Sequence, residues 1–210
     1  MLNPRKFLTR LTANLEAVTY LLGVPLGILF VIFQAGFSGQ KLIIFLVSAT
    51  VGVLASMLYP VLRWRVLAPD INACIEGQVH GRQRRNLLRR LLNYPFWETI
   101  GVNIQWAGGI AVVVLTNHLL EPLSMREFLP YVFVFIFLAP INAVSHYLAM
   151  QLSLAELIRS NRIFHGVFLR RQDLVIVSLF RKTLGTMFSG VWLLLVFFGY
   201  TLYAALHWIH

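Results

Sequence analysis

Cysteine is almost missing from this chain of 210 residues, and Cys74 is its single example. One thiol excludes an internal disulfide framework and any cysteine-cluster zinc or iron-sulfur site, and by itself reads as a small apolar residue on a helix. Charge is scarce as well. Only 12% of residues are charged against 58% hydrophobic, and the mean hydropathy is +0.72, whereas soluble domains carry about 25% charged residues. Also missing are a glycine-rich phosphate loop, HExxH, GxSxG, an aspartate-rich motif for lipid-head transfer and an arginine run within an apolar stretch. The residues therefore predict no catalytic group, no cofactor and no resident metal. Ten-residue alternating segments, the mark of a membrane β-barrel, are absent too.

What the chain does contain is long apolar runs. Five are long enough to cross a bilayer: Ala17 to Phe37, Lys41 to Trp64, Trp97 to Thr116, Phe128 to Leu152 and Leu184 to Leu206. Backbone groups in hydrocarbon must be paired within their own segment, so these runs predict an all-α, polytopic helical bundle. Arg5, Lys6 and Arg10 before the first run imitate a signal peptide, but the run exceeds the usual apolar length of about 7 to 15 residues, so it reads as the first span. The N-terminal segment and the connections 65–96 and 153–183, with their flanks, hold 16 Lys and Arg, while the opposite side holds Lys41 and Arg126 alone. That asymmetry predicts a cytoplasmic N-terminus for a multi-pass membrane protein. The basic groups lack any RNA- or DNA-binding motif, so their expected partners are anionic lipid headgroups and the bilayer, not nucleic acid.

Laid out by loops, the chain reads as helical hairpins with tight outer turns and long basic inner connections. Sliding one connection over the other pairs Gly77, Arg82 and Gln83 with Gly166, Arg171 and Gln172, each followed by a span containing a tryptophan, Trp106 or Trp192. Within the first connection, Ile71, Ile75 and Val79 recur every four residues, and Leu87, Leu88, Leu91 and Leu92 oppose Arg85, Arg89 and Arg90. These patterns predict one helix extending the second span into the cytoplasm and a second lying along the membrane surface before it turns in. The basic residues Arg82, Arg84, Arg85, Arg89, Arg90, Arg170 and Arg171 suit headgroup anchoring or, alternatively, coupling to a cytoplasmic effector domain.

The stretch Arg84 to Trp106, "RRNLLRRLLNYPFWETIGVNIQW", resembles the entry into a membrane helix in the six-span N-terminal modules of bacterial class III adenylate or guanylate cyclases. The shared features are the Leu91-Leu92-Asn93-Tyr94-Pro95 run and the span with Trp106. The resemblance implies a sensor and anchor module that feeds a HAMP linker and then a cyclase domain. This sequence departs from that pattern in having no sixth span, no HAMP-like helices and no cyclase domain, so none of the family's catalytic residues carries over. The expectation that follows is an effector beyond residue 210 or on another chain.

Polar residues within apolar runs are the candidate sites, because they are costly unless paired or facing water. Asn142 and His146 stand four apart, with Ser145 beside them and Pro140 just before, and suit either a ligand or proton site or interhelical hydrogen bonding. Asn103 and Gln105 in the third span would complement them. Glu98 reads as an ion-pair partner for the neighbouring arginine group. Gly23 and Gly27 give a GxxxG spacing compatible with a homodimer, but Pro25 between them argues for a bend. His207, His210 and His118 make a poor metal signal, and Tyr200, Tyr203 and Trp208 read as an interfacial aromatic belt. Together these features suggest a signalling module passing a signal from the membrane to a cytoplasmic effector. The rival is a small transporter or permease subunit, with Pro140 and the Gly108-Gly109 pair facing each other across a solute cavity.

Overall fold

The structure, a computed structural model, describes residues 3–77 and 79–167. Helix α1 (Pro4–Ala17) is started by Asn3, whose side chain accepts from the Arg5 and Lys6 amides at 2.9 and 3.3 Å, with Pro4 set in the first turn where no amide is needed. A single π-helical segment, Val18–Gly23, carries the chain without a break into α2 (Val24–Ala35), which stops at Gly36 in the left-handed conformation, φ 68°. Helices α3 (Gly39–Ser56) and α4 (Leu58–Glu76) join across Met57 and end at Gly77, φ 70°. Helix α5 spans Arg82–Leu120, and α6 (Met125–Ser160) opens on a reciprocal capping box between Ser124 and Glu127. A short 3-10 turn, Arg162–Phe164, follows.

The described residues hold four helices long and apolar enough to cross a membrane: Pro4–Ala35, Gly39–Glu76, Arg82–Leu120 and Met125–Ser160. They alternate in direction. One end of the bundle carries the tight connections after Ala35 and Leu120, here the turn end; the other carries Asn3, Gly77 to Gly81 and Asn161, here the basic end. Helix α5 packs against α6 and α3, α2 lies on α6, and α1 lies on α4 and α6. At the turn end Lys41 holds the elements together, donating to Glu127 at 2.5 Å and approaching Glu121 at 3.6 Å.

Four of the five expected spans coincide with these helices. The fifth, 184–206, lies outside the described residues, as does the connection beyond Val167 with Arg170 and Arg171. The hairpin repeat is therefore compared only in part: Gly77 and Gly166 both take positive φ, but Gly77 directly ends α4 whereas Gly166 follows the 3-10 turn. The first connection corrects one expectation. Helix α4 does extend the second span to Glu76, but no separate surface helix precedes the third, because α5 runs unbroken from Arg82. The reason is periodicity: Leu87, Leu88, Leu91, Pro95, Glu98, Val102, Gln105 and Trp106 form one continuous buried stripe. Pro95 forfeits only the bond to the Leu91 carbonyl, and the helix carries on through it.

Two apolar cores fill the bundle. Toward the basic end Leu8, Leu11, Leu15, Leu67, Ile71, Cys74, Leu87, Leu91, Met150, Leu154 and Leu157 pack together. Toward the turn end Val31, Phe45, Ala49, Val102, Trp106, Tyr131, Val134 and Ala143 form the second core. Large apolar side chains also cover the outside, among them Leu21, Phe33, Ile43, Leu54, Ile104 and Leu119, a distribution that suits a lipid-facing surface.

Close helix approach is set by glycine. A Cβ on Gly52 of α3 would sit 2.8 Å from the Gly109 carbonyl oxygen of α5 and would also overlap Val113, whereas one on Gly108 would meet nothing within 4 Å. Gly52→Ala is accordingly expected to destabilise the bundle by about 1–3 kcal/mol and Gly108→Ala to be tolerated, as read from unfolding of the detergent-solubilised protein.

Candidate functional site

Between the two apolar cores lies a layer of polar side chains contributed by every long helix. Its centre is Glu98 of α5, only 3% exposed. One carboxylate oxygen accepts from Arg63 Nη1 at 2.6 Å and faces His146 Nδ1 at 2.9 Å; the other accepts from the Tyr59 hydroxyl at 2.9 Å. Arg63, on α4, also donates from Nη2 to Glu16 of α1 at 2.5 Å, and its guanidinium lies 5.7 Å from the centre of the Tyr59 ring. One arginine thus bridges two carboxylates from two other helices, which offsets part of the large desolvation cost of burying all three charges.

From His146 the network continues into the π-helical segment. A carboxylate only accepts, so Nδ1 of His146 carries a proton and donates to Glu98. The opposite ring nitrogen, Nε2, lies 2.9 Å from the Thr19 hydroxyl, which also accepts from Asn142 Nδ2 at 2.8 Å. Thr19 is 2% exposed and sits in the segment where the helix widens to a π turn. Such insertions rotate the following turns and recur where a side chain must be re-aimed. A second branch links Tyr20, Ser56 and Gln105. The hydroxyls of Tyr20 and Ser56 are 2.9 Å apart, and Gln105 Nε2 donates to Tyr20 Oη at 3.2 Å and to the Ser56 carbonyl at 3.3 Å. Room for the Tyr59 ring is made by Gly101, where any Cβ would collide with the phenol.

No protein family, curated protein or solved structure matches this chain. Its chemistry has to be read from these side chains alone. The layer combines acid, base and hydrogen-bond relay groups without an exposed nucleophile, and among the described residues no trio of His, Cys, Asp or Glu is arranged to hold a metal ion. What such a layer can do is fix the register of all four helices, because moving any one of them breaks bonds to the others.

The structure brings together three of the four polar candidates. Asn142 and His146 meet at Thr19, and Gln105 joins the Tyr20 branch, but Asn103 bonds back to the Thr99 carbonyl of its own helix at 2.8 Å and stays outside. Ser145 likewise bonds within α6, to the Ile141 carbonyl. Glu98 pairs with Arg63, not with the arginines preceding it on α5, which corrects the sequence expectation. Arg89 and Arg90 lie more than two turns away along the same helix, about 12 Å, beyond side-chain contact. Arg90 instead clamps Asp70 of α4 through two bonds of 2.9 and 2.7 Å, with the Tyr94 hydroxyl adding a third at 2.9 Å. Arg84 donates to the Val79 carbonyl at 3.0 Å, and Arg82 and Arg89 are exposed.

Sequence reading passed over Glu16, Thr19, Tyr20, Tyr59 and Arg63. Arg63 had the appearance of a loop charge at the end of a span. The signal available was that Glu16 and Arg63 each flank an apolar run on the side where their helices continue. Removing one member of this layer exposes the cost of burying the rest. Arg63→Met is expected to destabilise the protein by about 3–5 kcal/mol, and adding Glu98→Gln to recover part of that loss, measured by a double-mutant cycle of unfolding in detergent.

Proposed function

We propose that this chain is the membrane part of a signalling protein, receiving a signal within the bilayer and passing it through continuous helices to a cytoplasmic effector. The observation that carries the reading is the arrangement of two packed cores on either side of one polar layer, with all four long helices running through both. Thr19, Arg63, Glu98 and His146 lie about 16 to 24 residues from the turn-end limits of their helices, or roughly 24–36 Å at 1.5 Å per residue. A hydrocarbon layer is about 30 Å thick. With the turns at the outer surface, the polar layer falls at the inner edge of the hydrocarbon, and the Leu-rich core of the basic end stands in the headgroups and cytoplasm. The concentration of arginine at that end supports the same orientation.

A four-helix extension with its own apolar core behaves as a rigid rod bundle, so a shift of one helix at the polar layer is transmitted to its far end rather than absorbed in a loop. A ligand acts on it by binding one arrangement of the helices better than another. The effector class suggested by the resemblance of Arg84 to Trp106 to cyclase membrane modules is a nucleotide cyclase. A small transporter is the second reading. A cavity between α2, α3, α5 and α6 supports it, but Pro140 and Gly108 are not in its wall and only Gly109 of the expected facing pair is.

Three measurements test the proposal. In a Cys74→Ser background, a cysteine at Leu119 should react with a membrane-impermeant thiol reagent on intact cells, and one at Arg82 only after permeabilisation; the reverse pattern inverts the orientation. The native transcript should join this module to a cytoplasmic effector, in frame or as a co-purifying subunit. Saturable solute flux through proteoliposomes holding the 210-residue chain alone would overturn the signalling reading in favour of transport.

A further inference from the structure

The cavity on the turn side of the polar layer has a volume of about 80 Å³ and is partly open. Its wall holds no charged side chain: Gly27, Val31, Phe45, Ala49, Val113 and Val134 are among its apolar lining residues. At its polar border stand Thr19, Ser56 and Gln105, which also belong to the hydrogen-bonded layer, and next to Gln105 stands Trp106. Gln105 is 5% exposed and Trp106 8%, yet the Gln105 Oε1 and the Trp106 Nε1 have no hydrogen-bond partner. A buried acceptor and a buried donor left unpaired on consecutive residues are costly, and a ligand that satisfies them regains that cost.

We infer that this cavity binds the hydroxyl end of a slender, uncharged amphiphile, an aliphatic chain bearing one hydroxyl group. A hydroxyl both donates and accepts, so it matches in kind both groups left unpaired there, the Gln105 oxygen and the Trp106 N–H. A charged head is excluded by a wall that offers no counter-charge. The volume admits only a few methylenes, so the rest of the chain leaves through the open side toward lipid. For its consequence this inference rests on the signalling reading, in which occupancy would bias the helices through Gln105 and Thr19; binding itself is measured without any output.

The test is photolabelling of the intact chain in lipid nanodiscs with a diazirine-bearing octanol, beside the matching diazirine-bearing octane, followed by mapping of the adducts. The octanol should mark cavity-wall residues, excess unlabelled octanol should compete, and the octane should label the same residues more weakly. Gln105→Leu should reduce octanol labelling roughly tenfold, the factor corresponding to a lost buried hydrogen bond of about 1.4 kcal/mol, and leave octane labelling unchanged. Ala49→Leu, which fills the wall, should abolish labelling by both. Equal labelling by alcohol and alkane would overturn the inference, leaving the two polar groups to water. So would adducts confined to the lipid-facing surface, or adducts in the cavity that survive Ala49→Leu in a folded protein. A protein that binds octanol but has no effector would refute the signalling reading while leaving this inference standing.

Discussion

The arginine held between Glu16 and Glu98 is the constraint around which the bundle is arranged. Arg63 is almost fully buried, and a guanidinium cannot shed its charge, so the fold must bring carboxylates to it. Those carboxylates come from α1 and α5. The second partner, Glu98, then needs its remaining lone pairs filled, which draws in Tyr59 and His146; His146 in turn meets Thr19, whose hydroxyl accepts from Asn142. The chain of partners passes through all four long helices. A four-helix arrangement with a single relative register follows, because sliding one helix by a turn would leave a buried charge unpaired.

The local irregularities of the bundle fit this demand. The π segment re-aims Thr19 at the layer without ending the helix that carries it. Gly101 gives up its side chain where the Tyr59 phenol must stand, and Gly52 allows α3 to approach the backbone of α5. Pro95, by contrast, introduces no break, because the apolar stripe on either side of it is in phase and packing holds the helix together. Thus propensity yields to packing at the proline, and packing yields to electrostatics at the glycine beside the layer.

A division of labour along the long axis results. The core at the turn end borders a small cavity and two unpaired polar groups; the leucine-rich core at the basic end is clamped by Asp70, Arg90 and Tyr94. Asn161 ties the end of α6 to the Cys74 carbonyl, closing the same end. Under the proposed signalling reading, the cavity and the arginine clamp stand toward opposite ends of the same long helices.

The helical class of the chain, and where four of its long helices run, were legible from the sequence by itself, because hydrophobic run length and a 3.6-residue period are local properties that bilayer thickness and backbone pairing translate directly into helices. The extension of α4 past the second span was legible for the same reason. So, in part, was the polar face of α6, since Asn142 and His146 share it through spacing alone. The partners of those residues were decided only by tertiary structure. Whether Arg63 ends in solvent or between two carboxylates, whether Asn103 or Gln105 turns inward, and whether α5 bends at Pro95 depend on which helix face meets which neighbour at what height. That is fixed by contacts between residues 35 to 127 positions apart, which no short window along the chain contains.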